Sequence, residues 1–384
     1  MTQLTSALPT RESGHHRTPS RWTLTEVMRK AEHEMVVCNA CRYCEAYCPV
    51  FQAMEQRVTF QPADLTYLAN LCHNCGECLY ACQYAPPHEF NIDVPRTLSR
   101  VRVESYESFA WPSFAAVAFR RPWVTTFVAL AVGAVISFIA ARTFQARDAD
   151  FYKVIPHDVM VMIFGVVGLF VAAAIAVGHR RFTTIADLKG PRRSSHVASP
   201  PRPGPSPRRS ATLDVLTLKH LHATGEDCVD AEEKRRPWRR WLHHCTFYGF
   251  ALCFASTTVA AIYHAFGWIA PYAYTSAPVV LGTVGGLGLV IGPAGLLMLD
   301  QRRDPALTHA SERALGFAFL TMLLLTSVTG LLLLALRERP YMPTLLVIHL
   351  AIVLALFITF PYGKFVHGIY RGGALLKFRR EESL

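Results

Sequence analysis

Six apolar stretches, each about as long as a membrane span, constrain the fold of this chain more than any other feature. They lie at about 123–141, 158–178, 244–266, 278–299, 315–336 and 345–366. A helix needs roughly 20 mainly apolar residues to cross a bilayer. Buried helices of a soluble protein are the alternative, but only 17% of the residues are charged, whereas soluble domains carry about 25%. We therefore predict a mainly α protein with a six-helix transmembrane bundle.

The basic residues of the loops predict the orientation of this bundle. The loop at 179–243 contains 14 of the 39 Lys and Arg residues, whereas the loop between the third and fourth stretches contains none. Basic loops stay on the cytoplasmic side, so we expect a multi-pass protein of the bacterial cytoplasmic membrane with both termini in the cytoplasm. Basic residues in cytoplasmic loops account for the net charge of +11. We therefore expect no nucleic-acid partner.

Changes in composition divide the chain into five segments. Residues 1–22 are polar, lack the apolar core of a signal peptide and are expected to be a disordered tail. The other predicted segments are a cysteine-rich domain at 23–105, a linker with the first two spans at 106–178, a basic and partly disordered cytoplasmic loop at 179–243, and the last four spans with a cytoplasmic tail at 244–384.

Eight of the 11 cysteines occur in two runs that share one spacing. Residues 38–49 read CNACRYCEAYCP and residues 72–82 read CHNCGECLYAC, so each run is C-x2-C-x2-C-x3-C. This spacing is typical of bacterial ferredoxins with [4Fe–4S] clusters, in which the fourth cysteine of one run ligates the other cluster. The predicted ligand sets are Cys38, Cys41, Cys44 and Cys82 for the first cluster and Cys72, Cys75, Cys78 and Cys48 for the second.

The sequence around these runs favours a helical two-[4Fe–4S] ferredoxin-type domain ahead of the bundle. PADLTYLANLC at 62–72 has helical periodicity. The second run departs from the pattern because Gln83, and not proline, follows Cys82. Structural zinc is the alternative, although zinc sites usually use two separated cysteine pairs.

Five histidines near span ends are candidate ligands of b-type haem. His349 and His367 are 18 residues apart, so a continuous sixth helix would place both on one face. The third stretch carries His243 and His244 at its inner end and His264 near its outer end. If these two spans are antiparallel, His264 pairs with His349, and His243 or His244 pairs with His367, around one or two haems. Interfacial histidines that only cap helix ends are the alternative.

Several longer stretches are similar to a known family. They include CNACRYCEAYCPVF, LCHNCGECLYACQYAPPHEF, RRWLHHCTFYGF and PYGKFVHGIYR. In these stretches the chain resembles the citrate/tricarballylate-utilisation protein B family. The resemblance implies a membrane electron-transfer protein that reoxidises a flavin-dependent dehydrogenase in the cytoplasm and passes the electrons to membrane quinone. It also implies that the eight cysteines ligate the clusters and that the histidines named above ligate haem.

Two other functions stay open at this point. One is a membrane subunit of a complex like heterodisulfide reductase or nitrate reductase, and the other is a tricarboxylate transporter or redox sensor. A tricarboxylate carrier would need Arg or Lys inside its spans, and none lies at mid-span. The chain also lacks a Gly-rich nucleotide-binding fingerprint, so we expect an electron-transfer component and not a stand-alone enzyme.

Overall fold

The computed structural model describes residues 26–143, 154–187, 206–221 and 238–383, and these residues form helices and turns without a strand. This confirms the mainly α fold class. The tail predicted to be disordered at 1–22 lies outside the described residues. The same holds for residues 188–205 and 222–237 of the basic loop.

The cysteine-rich domain is built from short helices with well-defined starts. Asp93 caps one helix by accepting the backbone N–H of Arg96 at 3.3 Å, and Pro62 opens another, in which Asp64 accepts the N–H of Gln61 at 3.0 Å. Such side-chain acceptors satisfy N–H groups that the first helical turn leaves free. The helices of this domain are α1 (Glu26–Cys41), α2 (Pro49–Glu55), α3 (Pro62–Leu71), α4 (Glu77–Tyr80) and α5 (Val94–Phe109).

Six helical segments within the described residues are long and apolar enough to cross a membrane, which confirms the predicted spans. The first five are α7 (Pro122–Thr143), α8 (His157–Ile185), α10 (Trp238–Ala265), α11 (Ala277–Arg302) and α12 (Ala310–Ala335), and the sixth runs from Met342 to Glu381 and begins with α13 (Met342–Thr359). Two short helices are not spans: α6 (Val117–Arg120) and, in the basic loop, α9 (Pro207–Thr217). The 179–243 segment, which was expected to be a loop, therefore contains the end of α8, the whole of α9 and the start of α10.

Glycines allow α10 and α11 to pack closely. A Cβ atom on Gly285 would lie 2.8 Å from both the backbone nitrogen of Cys253 and the carbonyl oxygen of Gly249. A Cβ atom on Gly292 would lie 2.7 Å from the carbonyl oxygen of Leu242. Small residues at such positions are the usual means by which membrane helices approach each other.

The sixth span is not one continuous helix, which corrects the geometry expected for His349 and His367. Helix α13 ends at Thr359, a 3-10 turn covers Phe360–Tyr362, and Gly363 has an extended backbone before α14 (Val366–Glu381) begins. Pro361 has no N–H for the helical ladder. The two histidines therefore belong to different helices, and the expectation that one continuous helix places both on one face is wrong.

Helix α14, which was grouped above with the spans as a cytoplasmic tail, is part of the core of the cysteine-rich domain. Val366, Tyr370 and Phe378 are buried in the same apolar cluster as α1, α3 and α5. A buried ion pair joins Glu381 of α14 to Arg57, with 2.6 Å between Oε1 and Nη2. Helix α14 also meets α9, because Arg379 donates to Asp214 at 2.6 Å.

Candidate metal centre

The structure brings the four cysteines predicted for the first cluster around one cavity. Its volume is 240 Å³, and its lining includes Cys38, Cys41, Cys44 and Cys82. Since one water needs only about 10–15 Å³ of such space, the cavity has room for a group of several atoms. Cys41, at the end of α1, is exposed to solvent. This outer site is therefore accessible from outside the protein.

Burial and repulsion between neighbouring thiols raise the pKa of Cys38, Cys44 and Cys82 in the outer site. Burial raises the pKa of Cys44 to about 12, and the neighbouring Cys82 and Cys41 add to the effect. A bound metal reverses this balance, because a coordinating thiol loses its proton. The donor set therefore suits a cationic cluster better than four free thiols.

The four cysteines predicted for the second cluster also line one cavity. This inner site contains Cys48, Cys72, Cys75 and Cys78, and the first three are buried. Gly76 has a φ of 95°, a conformation that favours glycine and turns the chain between Cys75 and Cys78. The cavity is only 20 Å³, so the thiols must move apart to accept a cluster. Cys78 lines both cavities, which makes the two sites adjacent.

Among the described residues, no three His, Cys, Asp or Glu side chains are grouped closely enough to hold one metal ion.

Arginines from the membrane bundle and from the cysteine-rich domain converge on the loop after Cys72. The carbonyl oxygen of Cys72 accepts hydrogen bonds from Arg102, at 2.5 Å, and from Arg371. The carbonyl oxygen of Asn74 accepts from Arg239, at 3.1 Å, and from Arg303. The inner site is thus fastened directly to the helices of the bundle. The cysteine spacing gave no signal of these arginines, which are distant in the sequence.

His73 lies in the same loop and was not among the predicted ligands. It is buried and lines the inner cavity, and within the described residues neither ring nitrogen has a hydrogen-bond partner. Burial lowers the pKa of His73, and the charges of Arg371 and Arg239 lower it further. A neutral ring can donate one hydrogen bond to a group in this cavity.

The structure brings one predicted histidine pair together at the inner end of the bundle. The rings of His243 and His367 are 6.2 Å apart, edge to face. His367 Nδ1 donates to the carbonyl oxygen of Lys364 at 2.5 Å, which leaves Nε2 as the nitrogen with a free electron pair. Metal-binding histidines commonly have this arrangement. His244 instead stacks on Tyr248, with the rings 5.7 Å apart.

The other predicted pair has different neighbours. His264 stacks on His157 with the ring centroids 3.7 Å apart. His349 shares a hydrogen bond of 3.0 Å with Thr329 and lies against Gly330. The predicted pairing of His264 with His349 is not among these contacts. Helical spacing alone could not reveal the stacking, because it joins the first residue of α8 to the end of α10.

Comparisons with known proteins give matches to both the membrane bundle and the cysteine-rich domain. The sequence model named citrate utilization protein B matches residues 124–384, and the model named citrate utilization protein B Fer4-like domain matches residues 31–108. The chain is 45% identical to citrate utilization protein B of Escherichia coli over 367 residues, which cover 94% of each chain. The chain belongs to the citrate utilization protein B family.

Membership in the citrate utilization protein B family confirms the resemblance found in the sequence. The match to the Fer4-like domain of the family contains all eight cysteines of the two runs, which agrees with an iron–sulfur protein. No solved structure matches the chain.

Proposed function

We propose that this chain carries electrons from the reduced flavin of a cytoplasmic dehydrogenase, of the type that oxidises tricarballylate or citrate, to quinone in the membrane. In the net reaction the reduced flavin loses two electrons and two protons, and the quinone gains two of each to become quinol. Two [4Fe–4S] clusters and a b-type haem, when bound, would supply the one-electron chemistry. The observation that carries the proposal is the series formed by an exposed cysteine site, a buried cysteine site and a histidine pair on the bundle.

The outer site is the side at which a dehydrogenase would dock. Cys41 is exposed there, and the two cysteine cavities share Cys78 as a wall. A cluster held by Cys38, Cys41, Cys44 and Cys82 would therefore be close to a partner, while the inner cysteines would hold a second cluster away from solvent. Exclusion of water is part of how a protein sets the potential of such a centre.

His243 and His367 are the proposed ligands of the haem. His367 is oriented by the carbonyl oxygen of Lys364, and the unpartnered Nδ1 of His243 is buried. A second haem between His264 and His349 remains a prediction, and it would require His264 to leave His157.

The proposed location is the bacterial inner membrane with both termini in the cytoplasm. This is supported by the basic loops and by contacts that gather three parts of the chain at one end of the bundle. Glu381 of α14 binds Arg57 of the cysteine-rich domain, and Arg379 binds Asp214 of α9. Reporter fusions at the C-terminus and after residue 230 should behave as cytoplasmic, and a fusion near residue 273 as periplasmic.

Anaerobic stopped-flow measurement tests the electron-transfer function. The purified protein in quinone-containing nanodiscs is mixed with a tricarballylate- or citrate-type flavin dehydrogenase that its own substrate has reduced. Flavin reoxidation and quinol formation should both occur, and Cys41→Ser and His243→Ala should slow quinol formation at least tenfold. His244→Ala, the adjacent histidine, serves as the matched control and should retain most of the rate.

Two results would overturn this proposal. One is a wild-type protein with normal cofactor content that fails to reoxidise the flavin. The other is uptake of labelled tricarballylate by proteoliposomes in the absence of any redox partner, which would establish the transporter instead.

A further inference from the structure

We propose that Arg102, Arg239, Arg303 and Arg371 act as positioning residues that raise the reduction potential of the inner iron–sulfur site. This rise would stabilise an electron at the inner site, which is the site fastened to the membrane bundle. The inference rests on the proposed function, because it assumes a [4Fe–4S] cluster at each cysteine site.

The first part of the argument is the pair of guanidinium groups at Cys72. Arg102 donates to the carbonyl oxygen of Cys72 at 2.5 Å and to that of Ala69 at 2.7 Å. Arg371, on α14, donates to the same oxygen of Cys72. Both cations are therefore fixed beside a cysteine of the inner site by hydrogen bonds to its own backbone.

The second part is the equivalent pair at Asn74. Arg239, near the start of α10, and Arg303, just after the end of α11, both donate to the carbonyl oxygen of Asn74. The side chain of Asn74 in turn donates to Thr308 at 2.7 Å. Four cations from four different parts of the chain thus hold one three-residue loop that lines the inner cavity.

The positive charge of this group is only partly neutralised by the described residues. Arg102 binds Glu312 at 2.5 Å, but Lys364 shares the same carboxylate. Among the described residues no carboxylate lies within ion-pair distance of Arg371. Since the site is buried, charge interactions there are weakened less than in water. Glu77 also lines the inner cavity. The three cations Arg102, Lys364 and Arg371 therefore face two carboxylates, those of Glu312 and Glu77, and the remaining charge of this group is positive.

The outer site has a different environment. Its carboxylate neighbour is Glu34, which is buried one helical turn before Cys38 and accepts hydrogen bonds from the N–H of Asp93 and the hydroxyl of Thr97. Its Cys41 is exposed to solvent, and water, not a group of arginines, is what stabilises added negative charge there. Reduction adds one negative charge to a cluster, and local charge, hydrogen bonds and exposure set the potential. The arginines therefore stabilise the reduced state at the inner site more than at the outer site.

Redox titration followed by EPR tests this inference on the purified full-length protein. The signal that persists in the Cys41→Ser variant identifies the inner cluster, and its midpoint potential is then measured in the wild type. Arg371→Gln should shift this midpoint to a more negative potential and leave the outer midpoint unchanged. Arg371→Lys keeps the charge and should restore most of the wild-type value. Arg337→Gln is the control, because Arg337 binds the carbonyl oxygen of Tyr272 in a different loop.

Arg303→Gln is the second variant in case Arg371→Gln loses the inner cluster. An unshifted inner midpoint in either folded Gln variant would overturn the inference, as would equal shifts of both clusters. Loss of the inner cluster from both variants would do the same, since the arginines would then only hold the loop. In all three cases the wild-type cluster signals remain and the proposed function stands. Absence of cluster signals from the wild type would overturn the proposed function and the inference together.

Discussion

Replacing Glu381 by Ala should detach α14 from the cysteine-rich domain. The carboxylate of Glu381 accepts from Arg57 Nη2 at 2.6 Å and from the hydroxyl of Tyr67 at 3.2 Å, and all three side chains are buried. Without Glu381, Arg57 retains Asp64 at 2.9 Å as a partner. Removing one partner from a buried ion pair typically costs about 3–5 kcal/mol. The remaining bond to Asp64 places the expected loss near the lower end, at about 3 kcal/mol.

Urea unfolding of the cysteine-rich domain, followed by loss of visible iron–sulfur absorbance, measures this effect. The matched control is Glu382→Ala, because Glu382 is exposed at the next position and binds Arg379 at 2.7 Å. An exposed pair of this kind contributes at most about 1 kcal/mol, so the control should unfold close to the wild type. Equal stability of both variants would refute the claim that α14 is part of this core.

Three further predictions concern other parts of the molecule. Burial raises the pKa of Glu34 from 4.5 to about 7, so the unfolding free energy should fall by about 3 kcal/mol as the pH rises from 4.5 to 7. Glu34→Gln should remove this pH dependence, measured as the urea midpoint at each pH. A Glu34→Gln variant with the same pH profile as the wild type would contradict the prediction. Gly285→Leu should separate α10 from α11 and lower the stability of the bundle in detergent melts by at least about 1–3 kcal/mol. Gly165→Leu is the control and should leave the melting temperature unchanged, because a Cβ atom on Gly165 meets nothing within 4 Å. His367→Ala should abolish the b-type absorbance of the inner haem with the iron–sulfur content intact, and a retained band would exclude His367 as its ligand.

The features predicted from the sequence were those encoded by local spacing. The apolar runs determined the spans, and the cysteine spacing determined which thiols gather at each cavity. The break before His367 had a local signal, the Pro361–Tyr362–Gly363 sequence, which the regular separation of His349 and His367 obscured. The signal was not decisive, because Pro293 and the glycines around it lie inside the continuous helix α11.

Long-range packing accounts for what the sequence did not reveal. Arg371 is 299 residues away from Cys72, so no spacing rule connects them. The stacking of His157 on His264 depends in the same way on which helices become neighbours. The role of α14 was hidden because its apolar residues serve the cysteine-rich domain and not the membrane.

EPR spectroscopy with iron analysis of the anaerobically purified protein tests the central claim most directly. Two [4Fe–4S] clusters predict about eight iron atoms per chain apart from haem, and two signals after reduction. Cys41→Ser should remove one signal, and Cys75→Ser should remove the other. Zinc in place of iron, or a single signal that both substitutions abolish equally, would contradict the assignment of two separate clusters to these eight cysteines.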